Sequence, residues 1–177
     1  GKHPLLIEAA MAFGTGHHGT TLGCLRALDR LADAGFVAQR AVDIGCGTAV
    51  LAMGAAAIWP APVLASDIDA QAVEVAEANL AANSMSDRVG VLEAAGFDHP
   101  GLAGPFDLIF ANILKGPLIA LAPDLSARLD SGGYAILSGI LNEQANAVVE
   151  VYTRCGNSGV HRDVIGDWTT LTLQKKP

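Results

Sequence analysis

A chain of 177 residues that is 51% hydrophobic and 16% charged has the size of one domain and ample apolar material for a core, which excludes intrinsic disorder. Its 18 Asp and Glu against 11 Lys and Arg give a net charge of −7, which disfavours unaided binding to nucleic acid and favours a basic partner. The most apolar stretch, 49–58, is half a membrane span, and Cys24, Cys46 and Cys155 lie far apart without a Cys-x-x-Cys pair, which fits reduced cytoplasmic thiols better than a disulfide framework or a zinc site.

Gly1 stands where an initiator Met would be and no basic and apolar leader opens the chain, so we expect an upstream piece in the parent protein. Residues 13–19 read as a glycine-rich loop leading into an amphipathic helix over 20–31. Residues 41–45 read as a first strand. The helix that follows over 48–58 stops at Trp59-Pro60, because proline disfavours the α conformation of the residue before it. A second strand, 63–66, runs into Asp67-Ile68-Asp69, and Asp69 serves as N-cap of a helix with Val73, Ala76, Ala78, Leu80 and Ala81 for its buried side, ending near 83–84. Residues 89–92 form a short third strand and 94–105, with Gly96, Pro100, Gly101 and Gly104, a loop. Residues 106–111 are a fully buried fourth strand. The pattern over 116–129 is helical, with Pro123 either kinking it or opening its second half. Ser131-Gly132-Gly133 turns the chain into a fifth strand at 134–137, followed by a helix over 143–152 and a closing strand over 168–173. Strands alternating with Ala-rich helices make an α/β protein with a mainly parallel sheet, without repeats or an interdomain linker.

Three places on this plan carry chemistry. The first is Asp43-Ile44-Gly45-Cys46-Gly47-Thr48, where glycines let the backbone approach a ligand and a helix N-terminus offers free N–H groups. A tight turn without a ligand would use the same residues, and Val50 breaks the dinucleotide fingerprint. The second is Asp67, about twenty residues further on at the end of the second strand, where a carboxylate faces the ligand crevice and can accept both hydroxyls of a ribose. Asp69 is better placed to cap its helix. The third is Asn112 after the fourth strand, whose amide offers an acceptor and donors towards the same crevice; an ordinary turn Asn is the alternative. His17-His18 are loop histidines more readily than metal ligands, since adjacent side chains rarely converge on one ion. Phe13 and Trp168 offer aromatic faces for a cationic amine, or simply packing.

Together these residues resemble the class I S-adenosylmethionine-dependent methyltransferases. Two further stretches, Ala12-Phe13-Gly14-Thr15-Gly16-His17-His18-Gly19-Thr20-Thr21 and Ala111-Asn112-Ile113-Leu114-Lys115-Gly116-Pro117-Leu118, with Leu137-Ser138-Gly139-Ile140-Leu141 downstream, resemble the ribosomal protein L11 methyltransferase family over nearly the whole chain. The resemblance implies a doubly wound, mostly parallel seven-stranded sheet with helices on both faces. It also implies S-adenosylmethionine as cofactor, held by Thr21, Gly45, Gly47, Asp67 and Asn112, and no metal. Residues 1–177 would be the methyltransferase domain, with 1–35 a loop and helix covering the cofactor, and the family's N-terminal recognition domain lying outside this chain. The partner implied is a large-subunit ribosomal protein methylated on amino groups in the cytoplasm, with no direct contact to nucleic acid or membrane. His17 and Gly19 stand where the family usually has Thr and Pro, and Ala49 where a glycine is common.

A methyl group on a sulfonium is already activated, so the enzyme's task is to align a neutral amine and exclude water. The sequence offers no evident general base, and Asn112 takes an orienting role. Two rival readings are a class I methyltransferase for another protein or a small molecule, and a cofactor-binding module without catalysis.

Overall fold

The computed structural model describes residues 18–177; the 13–17 part of the expected loop, with Phe13 and His17, lies outside the described residues. In chain order the elements are α1 (His18–Asp33), β1 (Ala41–Ile44), α2 (Val50–Ile58), β2 (Val63–Asp67), α3 (Ala70–Ala82), β3 (Val89–Glu93), β4 (Phe106–Asn112), α4 (Lys115–Arg128), β5 (Leu129–Leu141), α5 (Ala145–Arg154), β6 (Asn157–Ile165) and β7 (Trp168–Lys175). The strands form one sheet in the order β3-β2-β1-β4-β5-β7-β6. The first five are parallel to their neighbours, and β7 inserts antiparallel between β5 and the edge strand β6.

Side-chain alternation divides the apolar residues between two cores. In β4, Leu108 and Phe110 join Leu28 of α1, Met53 of α2 and Leu80 of α3 on one face, while Ile109 and Ala111 join Leu118 and Leu125 of α4 and Val148 and Tyr152 of α5 on the other. A strand buried on both faces has to be apolar at successive positions, which is why β4 reads as an unbroken run. Helix α1 buries Thr20, Cys24, Ala27, Leu28 and Leu31, a single stripe of the 3.6-residue period.

Several expectations are corrected. Helix α3 buries Ala72, Ala76, Asn79 and Leu80, whereas Ala78 and Ala81 face out. Where alanine fills most positions, hydrophobicity does not define a face, and docking on the sheet decides it. Pro123 lies inside a continuous α4. The Ser131-Gly132-Gly133 segment is part of β5, which spans 13 residues, and the pairing of β4 with β5 shifts register between Phe106 and Leu108. Strand β6 was not anticipated, because at the sheet edge residues 159–162 are all exposed and no period of two is written into them. Residues 100–102 of the expected loop make a 3₁₀ turn.

The register aligns the ends of the central strands. Ile44 pairs with both Ser66 and Ala111, so the next residues, Gly45, Asp67 and Asn112, emerge level with one another at the carboxyl edge. The strand order reverses between β1 and β4, and that is where a doubly wound sheet opens a crevice.

Candidate functional site

The loop after β1 is shaped by backbone demands. Gly45 has φ +71°, and a Cβ on it would lie 2.6 Å from Ile113 Cγ2, so no other residue fits without moving the wall that follows β4. The Cys46 N–H donates to the Ser66 carbonyl at 2.8 Å, and the buried Asn79 Nδ2 donates to the Thr48 carbonyl at 3.0 Å, tying the loop to β2 and α3. Helix α2 begins at Val50 and not at 48, because Ala49 takes the left-handed conformation, φ 66° and ψ 16°.

Asp67 is held by two backbone donors: the Gly47 N–H reaches Oδ2 and the Asp69 N–H reaches Oδ1, each at 3.0 Å. A carboxylate oxygen can accept more than one hydrogen bond, so a fixed Asp67 still presents acceptor capacity to a ligand. Asp69 caps α3 by accepting from the Gln71 N–H at 2.9 Å.

Asn112 closes β4, and its Nδ2 donates to Thr20 Oγ1 at 3.3 Å, joining the strand end to the first turn of α1. Below it, Gly139 has φ +84°, and a Cβ there would sit 2.5 Å from the Ile113 carbonyl oxygen and 3.0 Å from its nitrogen. The backbone after β5 thus packs directly beneath the backbone after β4. Helix α1 lies equally close to the sheet: a Cβ on Gly23 would be 2.0 Å from Thr170 Oγ1, whose own partner is Ser138 Oγ at 2.9 Å.

These parts enclose a cavity of about 1200 Å³. Thr21, Gly45, Gly47, Asp67 and Asn112 all line it, so the structure brings the predicted residues into one place. Trp168 is not among the lining residues; it packs at Gly19, where a Cβ would lie 3.2 Å from Trp168 Cδ1. Ile68 and Leu114, 71% and 63% exposed, flank the opening.

Three lining residues were not singled out from the sequence: Thr20, Gly139 and Asp43. The helical stripe through Cys24, Ala27, Leu28 and Leu31 would have selected Thr20 as the buried member of the Thr20-Thr21 pair. Asp43 is the sole charged residue of β1, and all four β1 residues are buried. Neither of its carboxylate oxygens has a hydrogen-bond partner. Burial, with the Asp67 charge adding to it, raises its pKa to about 8.

The lining carries Asp43, Asp67, Asp98 and Asp124 against Arg128, and Arg128 pairs with Asp124 at 3.6 Å, so the cavity favours a cationic ligand. Burial first, then Asp43 and Asp67, push the Cys46 thiol up, which leaves it without nucleophilic character. Among the described residues no group of three or more His, Cys, Asp or Glu could hold a metal ion, and no helix is long and apolar enough to cross a membrane.

Comparison with known proteins agrees with this geometry. The family model for ribosomal protein L11 methyltransferase (PrmA) matches residues 3–176. The ribosomal protein L11 methyltransferase of Chelativorans sp. (strain BNC1) is 44% identical over 99% of this chain and 61% of its own length. That of Rhodopseudomonas palustris (strain BisB5) is 46% identical over 96% of this chain and 58% of its own. The chain therefore spans about three-fifths of the length of these curated relatives. Among solved structures, a ribosomal protein L11 methylase from Lactobacillus delbrueckii subsp. bulgaricus superposes with a TM-score of 0.82 at 28% identity, over 90% of this chain and 80% of that one. A methyltransferase from Pyrococcus furiosus, 21% identical, shares the fold with a TM-score of 0.73 over 96% of this chain and 93% of that one.

Proposed function

Because the chain belongs to the ribosomal protein L11 methyltransferase family, we propose that it is the S-adenosylmethionine-binding part of an enzyme that methylates amino groups of a large-subunit ribosomal protein. The observation that carries the reading is Asp43, a buried carboxylate with two unpartnered oxygens on the wall of an acidic cavity. A buried acid with no partner in the protein is suited to a ligand that brings positive charge. S-adenosylmethionine, when bound, supplies a methyl group activated on a sulfonium and carries an ammonium besides.

The residues present fit such a ligand. Asp67, held by the Gly47 and Asp69 N–H groups, would accept the ribose hydroxyls, and Gly45 and Gly47 leave room for the ligand against the loop backbone. Thr21 and the first turn of α1 would cover the end nearest Asn112. With its Nδ2 engaged by Thr20, Asn112 turns its Oδ1 to an incoming amine, accepting an N–H and aiming the nitrogen lone pair. Thr20, Ile113 and Gly139, grouped at Asn112, offer no general base. A Lys amine, with an ordinary pKa of about 10.4, would lose its proton to solvent as burial in the site favours the neutral form.

Residues 1–177 would form the methyltransferase domain, with 1–35 covering the cofactor. A cytoplasmic location is supported by the ribosomal target that the relatives' names carry.

Incubating the chain, and its full-length parent, with S-adenosylmethionine and ribosomal protein L11, then weighing the ribosomal protein by mass spectrometry, tests the proposal. Mass gains in methyl steps support it. An unmodified ribosomal protein with the full-length parent overturns the substrate. Calorimetry showing no uptake of S-adenosylmethionine by this chain overturns the cofactor.

A further inference from the structure

We propose that Asp43 couples ligand entry to proton release: it holds a proton in the ligand-free protein and yields it to solvent when a cationic group arrives beside it. The inference rests on the cofactor reading and concerns what that reading leaves unassigned, the protonic charge of the free site.

The surroundings of Asp43 offer nothing to neutralise an ionised carboxylate. Ala65 of β2 and Phe110 of β4 are its partners across the sheet. Helix α2 contributes no ionisable residue. The titratable groups that act on it are Asp67 at the end of β2, Cys24 of α1 and Cys46 of the adjoining loop, and each is negative when ionised. Arg128, the cation on the cavity lining, is engaged by Asp124, by the Leu102 carbonyl at 3.1 Å and by the Phe97 ring with its centroid 5.0 Å away. A side chain 1% exposed with both oxygens unpartnered is therefore neutral at rest. Burial and the Asp67 charge keep it so up to about pH 8.

A cationic group entering the cavity reverses this balance. The carboxyl O–H bond breaks, its electron pair stays on the carboxylate, the proton passes to buffer, and the ion pair forms out of water, where it is strong. Binding is then linked to pH: with a group of pKa about 8, affinity for the cation rises with pH by up to roughly tenfold per unit below that value and levels off above it.

Titration calorimetry with S-adenosylmethionine, in buffers of different ionisation enthalpy, counts the protons exchanged by the wild-type chain and by Asp43→Asn. Subtracting the variant removes any proton exchange of the ligand's own amine. At pH 7 the wild type should release about 0.9 proton more per ligand than the variant, and at about pH 10 the difference should vanish. Equal counts at pH 7 overturn the proposal. Infrared difference spectra of the wild type alone supply a second readout, independent of whether the variant folds. A protonated-carboxyl band should be present in the ligand-free chain at pH 7, fade as pH rises through 8, and disappear on addition of S-adenosylmethionine. Its absence from the ligand-free chain at pH 7 overturns the coupling. The band present and titrating, with no heat of binding at any pH, overturns the cofactor reading instead.

Discussion

Asp43 has a cost that belongs to the single residue. Its pKa of about 8 in the fold exceeds the ordinary value of 3.8, so between these values the folded chain keeps a proton that the unfolded chain has lost. The stability contribution is complete below about pH 4 and falls as pH rises to about 8, by at most about 1.4 kcal/mol per pH unit. Urea unfolding of the ligand-free chain at pH 5 and pH 8 should show that decline, and Asp43→Asn should reduce it and be the more stable protein at pH 8. Ala49 poses a different balance. Its left-handed φ of 66° costs about 1–2 kcal/mol, but Ala49→Gly would forgo about 0.8 kcal/mol of buried methyl and loosen the unfolded chain by about 0.4–1 kcal/mol. The exchange should therefore change stability by less than about 1 kcal/mol, which accounts for an alanine where the family commonly has glycine. Ala49→Val, β-branched in the same conformation, should destabilise by more than 2 kcal/mol (roughly, by the same strain with χ1 crowding added), measurable by thermal unfolding. Gly139→Ala would drive a Cβ into the Ile113 backbone and displace Asn112 beside it. Methyl transfer should fall more than stability does.

At the scale of elements, the site depends on how closely α1 meets the sheet. Thr20 reaches Asn112 because Gly23, one turn on, lets the helix rest on Thr170 of β7. Gly23→Ala should lift the helix and weaken S-adenosylmethionine binding about tenfold, the cost of roughly one hydrogen bond to the site, although residue 23 does not line the cavity. Thr170→Ala in the same chain removes the oxygen at 2.0 Å but leaves the Cβ at 3.0 Å, so it should restore part of the affinity. Additive effects in that double-mutant cycle would show that the contact does not set the helix position. The existence of these elements was legible, since β4 declares itself as an apolar run and the α1 stripe has helical period. Their faces and limits were less so. Ala78 and Ala81 of α3 could not be sorted from Ala72 and Ala76 by hydrophobicity. Strand β6 owes its conformation to pairing with β7 and not to its own pattern.

For the whole molecule, the parallel order β3-β2-β1-β4-β5 brings an acidic set of side chains to one edge, and a ligand that binds only there stabilises the whole fold. S-adenosylmethionine at a hundred times its dissociation constant should add about 2.7 kcal/mol, or roughly 5–10 °C in Tm by differential scanning calorimetry. Asp67→Ala, which loses charge-assisted bonds to the ribose of about 1.5–3 kcal/mol, should require at least tenfold more ligand for the same shift. Unchanged affinity would remove Asp67 from the site. The chain spans about three-fifths of its curated relatives, so binding energy that the full-length parent draws from contacts remote from the amine is expected to be missing here. Turnover on ribosomal protein L11 should accordingly be slower for this chain than for the parent, with S-adenosylmethionine affinity alike in both.

Local chemistry determined what the amino-acid sequence could settle alone. Glycines at 45 and 47, an acid twenty residues later and an asparagine after a buried strand each mark a strand end, because turns and strand ends are specified by neighbouring residues. Tertiary structure decided what depends on distant partners. The register of Ile44 with Ser66 and Ala111 sets Gly45, Asp67 and Asn112 level, and the approach of α1 to β7 selects Thr20 to meet Asn112. The passage of β5 under Ile113 makes Gly139 necessary. An aspartate in a strand has an ordinary carboxyl until three other segments close around it, and only that closure, removing water and supplying no partner, makes Asp43 a group that gives up a proton to bind a cation.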